Sequence, residues 1–189
     1  LTWSPWPTLI WEGSVYALRI HDFIDFVNDP GQPTFSARNS DRIRGQGLET
    51  ELRQQLGSRL EWLLNFSAQR TRRDSGGSLG LAPRQEATLR TNWKATPRLQ
   101  VTPQLNWIGA RERQAGDPRG NLQGYLSADL ALRHMLGRRL DLSLVGRNLA
   151  DTDVREPSRA PAPGQTEPGI RYDLPQAGRS LSLELTGRW

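Results

Sequence analysis

In 189 residues the chain carries 25 Lys and Arg against 20 Asp and Glu, a formal charge of +5, and its mean hydropathy of −0.65 is that of a polar protein. No stretch approaches the roughly 18 to 20 uninterrupted apolar residues of a membrane-spanning helix, and no Arg- or Lys-led apolar segment opens the chain as a signal peptide would. The absence of cysteine removes disulfide scaffolds, thiolate metal sites and thiol nucleophiles. Lys94 is the only lysine, so the positive excess is carried by arginine, which fits either a compositional bias or an anionic partner. The first residue is Leu1 rather than Met, and a fragment or a mature product is expected.

In chain order, residues 1–12 yield no clear element and are expected to be an ill-defined remnant of what precedes the rest. From residue 13 onward, runs of two-residue alternation predict strands whose two faces meet different surroundings. Ser14 to Phe26 and Arg42 to Leu56 follow the pattern loosely. "LEWLLNFSAQ" follows it well, with Leu60, Trp62, Leu64, Phe66 and Ala68 opposite Glu61, Asn65, Ser67 and Gln69. "EATLRTNW" sets Ala87, Leu89 and Trp93 against Glu86, Thr88, Arg90 and Asn92. "LQVTPQLNW" separates Leu99, Val101, Leu105 and Trp107 from Gln100, Thr102, Gln104 and Asn106, with Pro103 an awkward member. "LSADLALRH" puts Leu126, Ala128, Leu130 and Leu132 on one side, and "LDLSLVGRNL" does the same with Leu140, Leu142 and Leu144. The chain ends in "SLSLELTGRW", where Leu181, Leu183, Leu185, Gly187 and Trp189 oppose Ser180, Ser182, Glu184, Thr186 and Arg188. Eight strands in an all-β, antiparallel up-and-down meander are predicted.

The connections alternate between tight and long. Short turns fall at Leu56 to Arg59, Lys94 to Pro97 and Leu136 to Arg139, and long polar stretches rich in Gly, Pro, Asn and Asp at Asn28 to Ser40, Thr71 to Pro83, Arg111 to Gly124 and Ala150 to Gly178. A meander whose two ends face different compartments has a reason for this rhythm, as in transmembrane β-barrels with short periplasmic turns and longer extracellular loops. In a bilayer every backbone polar group must be paired internally, and alternate side chains then touch lipid, so a polar mean hydropathy is expected. Trp62, Trp93 and Trp189 fall near the short-turn end and Trp107 near the long-loop end, the arrangement of interfacial aromatics. The last long loop is Pro-rich and is expected either to be disordered or to cap a ligand.

Three stretches carry a resemblance. "RIRGQGLETELRQQL" resembles a barrel strand with a Gly-x-Glu-x-Glu core, here Gly47, Glu49 and Glu51. "GRNLADTDVREP" resembles the segment that closes a penultimate strand, with Asn148, Leu149 and Asp151 matching and Ala150 where an aromatic is usual. "LPQAGRSLSLELTGRW" resembles the entry to a last strand and its terminal aromatic, with Gly187 where tyrosine is more usual. In order and spacing these resemble the C-terminal part of the barrel of TonB-dependent outer-membrane receptors. The resemblance implies that residues 13–189 are wall strands and extracellular loops of a larger barrel, an open curved sheet if the chain is a fragment, whose plug domain lies outside this chain. It implies uptake of a metal chelate such as a ferric siderophore, driven through the plug by the TonB system, in the outer membrane of a Gram-negative bacterium. Leu181, Leu183, Leu185 and Trp189 then resemble the signal read by the barrel assembly machinery, and lipid and lipopolysaccharide are implied partners. The alternatives are a complete small barrel of eight strands with a structural, adhesive or hydrolytic role, and a soluble β-sandwich or lectin-like domain.

Arg111, Arg113, Arg155, Arg159 and Arg171 gather in the long loops, and arginine forks suit carboxylate or catecholate oxygens, so these are the candidate ligand contacts. Attraction to anionic lipopolysaccharide explains the same residues. Glu49, Glu51, Arg53, Arg90, Asp129, Arg133 and Glu184 are expected to line a solvated or salt-bridged lumen rather than a catalytic centre. His21 and His134 lie more than 100 residues apart without ligand spacing, so no metal site and no cofactor is expected, and arginines scattered without a stacking platform do not suggest nucleic acid.

Overall fold

The computed structural model describes residues 1–28, 35–39, 42–74, 79–80, 82–113, 117–158, 170 and 172–187. All regular structure among them is β. The strands are β1 (Thr2–Trp6), β2 (Leu9–Ile20), β3 (Ile24–Asn28), β4 (Phe35–Asn39), β5 (Ile43–Leu56), β6 (Leu60–Arg73) and β7 (Gln85–Lys94). They continue with β8 (Leu99–Ile108), β9 (Tyr125–Met135), β10 (Leu140–Arg147), β11 (Arg155–Glu156), β12 (Leu174–Pro175) and β13 (Ser180–Gly187). Nine of them form one antiparallel sheet in the order β1-β2-β5-β6-β7-β8-β9-β10-β13, while β3–β4 and β11–β12 are separate two-stranded ribbons.

Register carries the sequence alternation across the whole sheet. From Leu9↔Gln54 to Ile20↔Ile43, and from Ile43↔Arg73 to Leu56↔Leu60, the pairing runs without a slip, and a slip of one residue would exchange the faces. One row runs Leu56, Leu60, Trp93, Val101, Leu132, Leu144, Leu183, each residue directly opposite the next. A second runs Trp11, Leu52, Leu64, Leu89, Leu105, Ala128 on the same face. The opposite face carries the row Glu12, Glu51, Asn65, Thr88, Asn106, Ser127. Each strand therefore contributes an apolar side and a polar side, and the nine sides coincide.

Among the described residues no second layer covers the apolar face. Val15 is 85% exposed and Leu181, Leu183 and Leu185 are 61–69% exposed, while Ile43 and Leu122 are the only buried hydrophobic residues among those described. The sheet is also open among the described residues: β13 pairs only with β10 and β1 only with β2, and no ladder joins β2 to β13 as an eight-stranded closed barrel would require.

Three features depart from the sequence expectation. Residues 1–12 are ordered into β1 and the start of β2, joined by a tight turn in which the Ser4 hydroxyl donates to the carbonyls of Trp6 and Leu9 at 3.0 and 2.9 Å, so the sheet has nine strands rather than eight. The run Ser14 to Phe26 is split at Asp22, whose φ of 55° turns the chain out of β2 and into the ribbon β3–β4 within the first long loop. Pro103 sits inside β8 opposite Leu130, and because it lacks an N–H the β7–β8 ladder skips Thr91 and Asn92 across from it.

Local choices fit this sheet. Gly47 lies directly opposite Tyr16, and a Cβ there would stand 2.5 Å from the phenol oxygen and 2.9 Å from the carbonyl oxygen of Ala68, so glycine lets the ring lie across the strand. In the Lys94–Leu99 turn the Thr96 hydroxyl accepts from the backbone N–H of Leu99 at 3.0 Å, closing the short connection.

Candidate ligand-facing loop site

The short turns lie at one end of the sheet and the long loops at the other, and the loops after β8 and β10 interlock. The first is built as a continuation of the β8–β9 hairpin. Arg111 and Leu122 exchange backbone hydrogen bonds at 3.0 Å, and Gly124 has no room for a side chain, since a Cβ would meet the Ile108 carbonyl oxygen at 2.6 Å. The second starts from a fixed turn. Asn148 (φ 47°) donates its backbone N–H to Asp129 at 2.8 Å and clasps Thr152 with its side-chain amide, and Asp151 (φ 53°) accepts from the Arg179 N–H at 2.9 Å. Asn and Asp are among the few side chains that tolerate this left-handed backbone. The motif Asn148, Leu149, Asp151 is thus the hinge between wall and loop.

Between the loops lies a network of arginines and carboxylates. Arg111 is 3% exposed; it donates to Glu156 at 2.5 Å and to the Arg155 carbonyl at 2.7 Å, with its guanidinium 6.0 Å from the ring centre of Tyr125. Arg113 donates to both Asp173 oxygens at 2.9 and 2.6 Å, the bidentate fork geometry. Arg119 grips Asp117 through Nε and Nη2 at 2.9 and 2.7 Å, and its Nη1 reaches the Ser158 hydroxyl at 2.6 Å and Asp173 at 3.3 Å. Asp173 also accepts from the Ser158 N–H and hydroxyl at 3.0 and 3.2 Å, and its φ of 65° aims it inward. The ribbon β11–β12 supports the cluster from below, with Arg155 bonded to Asp153 and to the Tyr172 carbonyl at 2.9 and 2.8 Å.

Charge follows geometry. The Arg113 fork and then the Ser158 N–H hold the Asp173 carboxyl far below the usual carboxylate range, against the opposing effect of burial. Arg119 lowers Asp117 in the same way, and Asp117 raises Arg119. Asp117, Arg119 and Asp173 are therefore each held in their charged form.

Of the five arginines expected as ligand contacts, the structure brings Arg111, Arg113 and Arg155 together, each engaged by protein oxygens; Arg159 and Arg171 lie outside the described residues. Sequence reasoning missed Asp117, Arg119, Glu156, Ser158 and Asp173, the partners that make the cluster a loop-to-loop latch. Trp62 and Trp93 sit near the short-turn end of the apolar face and Trp107 near its long-loop end, with Trp62 donating to Gln54 at 3.1 Å, while Trp189 lies outside the described residues. Trp11, not singled out in the sequence, joins the short-turn set and donates to the Thr50 hydroxyl at 2.6 Å. Leu181, Leu183 and Leu185 line the outer edge strand. On the polar face Arg53 pairs with Glu61 and Arg133 with Asp141, both at 2.7 Å, and Asp129 is held by Asn106 and Asn148; Glu51 stands opposite Glu12. Of the charged residues expected to be solvated or salt-bridged, Arg53 and Arg133 are in ion pairs on the polar face.

Residues 1–149 match the sequence profile of a family described as TonB dependent receptor-like, beta-barrel. No curated protein sequence matches. Among solved structures, the chain is similar to a variant of the ferric enterobactin receptor of Pseudomonas aeruginosa in complex with enterobactin, at 20% identity and a TM-score of 0.79 over 98% of this chain and 30% of that one. It is similar to the copper transporter OprC at 16% identity and a TM-score of 0.77, over 98% of this chain and 30% of that one. It is also similar to the ferric-catecholate import receptor Fiu of E. coli K12 at 20% identity and a TM-score of 0.74, over 97% and 26%. At these identities the likeness is one of fold, and the chain spans less than a third of the length of the structures it matches.

Proposed function

Because the chain belongs to the TonB-dependent receptor β-barrel family, a family of receptors and not of enzymes, we propose that it forms part of the wall and extracellular loops of an outer-membrane receptor for a metal chelate of the ferric-catecholate class. The observation that carries this reading is the apolar face shared by nine paired strands, over which no second layer packs among the described residues. In water that surface is unfavourable, and in a bilayer it is the side that meets lipid. The opposite, polar side then lines the interior, where a plug domain supplied outside this chain sits and through which the TonB system acts.

The ligand meets the long-loop end. Arg155, half-exposed at the rim, is the arginine of the described set best placed to contact it, while Arg111 and Arg113 hold the two loops in one shape. Arg159 and Arg171 remain candidate contacts on their position in the same loop. Trp62, Trp93, Trp107 and Trp189 serve as interfacial anchors, and Leu181, Leu183, Leu185 and Trp189 as the segment taken up by the barrel assembly machinery.

The test is growth on a ferric catecholate chelate as the sole iron source. Cells carrying the intact receptor are expected to grow, and cells in which residues 111–122 and 155–173 are replaced by short Gly-Ser links are expected to stop while the barrel still reaches the outer membrane. Unchanged growth would sink the assignment of the ligand to these loops.

A further inference from the structure

The polar side of the sheet separates its charges by height. Toward the long loops, Glu12 and Glu51 are directly opposite, and two residues further outward runs the row Ser14, Glu49, Ser67, Glu86. Neither row holds a cation, nor do Tyr16, Gly47 and Gln69 beyond them. Toward the short turns the sign reverses. Lys94, Gln100 and Arg133 are mutually opposite on this side, and the Arg59 carbonyl accepts from the Lys94 N–H at 2.8 Å, which adds Arg59 to the same row. The Arg98 carbonyl accepts from the Met135 N–H at 2.8 Å and sets Arg98 at the next position outward toward the turns. Together with Thr96 these residues line a recess of about 390 Å³. Arg133 is paired with Asp141 at 2.7 Å, whereas Arg59, Lys94 and Arg98 are exposed and enter no ion pair or side-chain hydrogen bond among the described residues. Along β6, Arg59 and Ser67 mark the two ends of this gradient, about 26 Å apart.

A cleft lined by one sign of charge concentrates ions of the other sign. Three unpaired cations around one recess therefore suit a ligand with several anionic oxygens, and guanidinium forks match such oxygens well. Position narrows the class. The recess lies on the interior side of the wall, the side away from lipid, and at the end remote from the loops where the cargo enters. That cargo is itself an oligoanion: in a ferric tris-catecholate the oxygens carry more negative charge than iron(III) cancels. Moving from the loops along the wall, it meets carboxylates first and cations last, so the wall attracts it most strongly at the far mouth. We infer that Arg59, Lys94 and Arg98 form a second binding site for the anionic chelate, on the exit side of the barrel, where the cargo is held before it leaves for the periplasm. This inference rests on the function proposed above and adds to it the site of release.

The receptor with its plug, purified in detergent and with residues 111–122 and 155–173 replaced by Gly-Ser links to silence the loops, is titrated with a ferric tris-catecholate. Residual binding is expected, and added salt is expected to weaken it. Introducing R59Q/K94Q/R98Q should weaken it about tenfold, roughly twofold for each exposed cation removed. R59K/R98K should retain it, and R98Q alone, a milder change should the triple variant fold poorly, should cost about twofold. In cells whose receptor keeps its loops, R59Q/K94Q/R98Q should leave surface binding of the chelate unchanged and lower its uptake per assembled receptor about tenfold. Absence of residual binding, as when an acidic protein segment fills the recess, or residual binding and uptake indifferent to the Gln substitutions, overturns the site. Failure of the unaltered receptor, loops included, to bind any ferric catecholate overturns instead the function on which the site rests.

Discussion

Replacing Asp173 with Ala should unfasten the two long loops without disturbing the wall. The carboxylate is 11% exposed and accepts from Arg113 twice, from Arg119 and from Ser158 twice. Its removal leaves the Arg113 and Arg119 side chains, 8% and 15% exposed, with fewer anions than cations around them. Breaking a buried pair from one side costs about 3 kcal/mol. The cluster joins loops rather than wall strands, so the cost should be seen as local opening, about a hundredfold in the opening equilibrium, and not as a fall in barrel stability. Hydrogen exchange on the intact receptor reads this directly. Amides in 111–113, 119–122, 154–158 and 172–176 should exchange about a hundredfold faster while those of β6 to β9 stay unchanged. Equal protection in both proteins would refute the latch, and faster exchange throughout the wall would show that Asp173 supports the sheet instead. The pH dependence has a fixed sign. Folding depresses the Asp173 pKa, so its contribution is fully present above the ordinary carboxylate value of roughly 3.9 and is lost as pH falls through the lower folded value. Loop protection should therefore be flat from neutral pH down to about 4 and fall only below it.

Leu183→Arg should lower stability in lipid vesicles by about 2 to 4 kcal/mol near the middle of the apolar face, while Ser182→Arg one residue away costs little, as measured by denaturant titration of the refolded barrel; equal costs would mean the faces are not distinct. Gly47→Val drives a side chain into Tyr16 and the Ala68 carbonyl and should cost about 1 to 3 kcal/mol in the same titration, relieved in part by Tyr16→Ala. The Arg53–Glu61 pair, with the arginine more than half exposed, should show in a double-mutant cycle a coupling that added salt abolishes; a coupling that persists in high salt would mean that a drier interior surrounds it.

What the sequence disclosed and what it hid follow from the range of the interactions. The wall was legible because a strand writes its environment into every second residue: Leu181, Leu183 and Leu185 name one face of β13 before any partner is known, and Leu142 and Leu144 prove to be their neighbours. β1 was hidden because "TWSPW" alternates nothing and is defined only by pairing with β2. The ribbon β3–β4 was hidden behind a polar composition shared with irregular loops. In the latch, Arg113 and Asp173 are 60 residues apart in the chain and bound by neither period nor motif. The arginines signalled that charge collects in these loops. Their carboxylate partners, scattered singly at Asp117, Glu156 and Asp173, signalled nothing until the hairpin extension and the Asn148 turn brought them together.

The same alternation that makes the wall legible also decides where its stability comes from. A water-soluble sheet folds by burying its apolar side against a second layer, and here the described residues bury only Ile43 and Leu122 in that sense. Val15, Leu181, Leu183 and Leu185 are each more than 60% exposed. Moving one such side chain from water into an apolar medium is worth about 1.5 to 3 kcal/mol, so these four alone represent roughly 6 to 12 kcal/mol. That is as large as the whole net stability of an ordinary domain, about 5 to 15 kcal/mol. Backbone pairing within the sheet cannot substitute for it, because a hydrogen bond exchanged with water contributes only about 1 kcal/mol net and the outer edges of β1 and β13 lack partners among the described residues. The wall is therefore a conditional fold: its register is written in the chain, while its free energy is supplied by what lies against the apolar face and along the two edges. In a bilayer the first would be lipid and the second would be neighbouring strands.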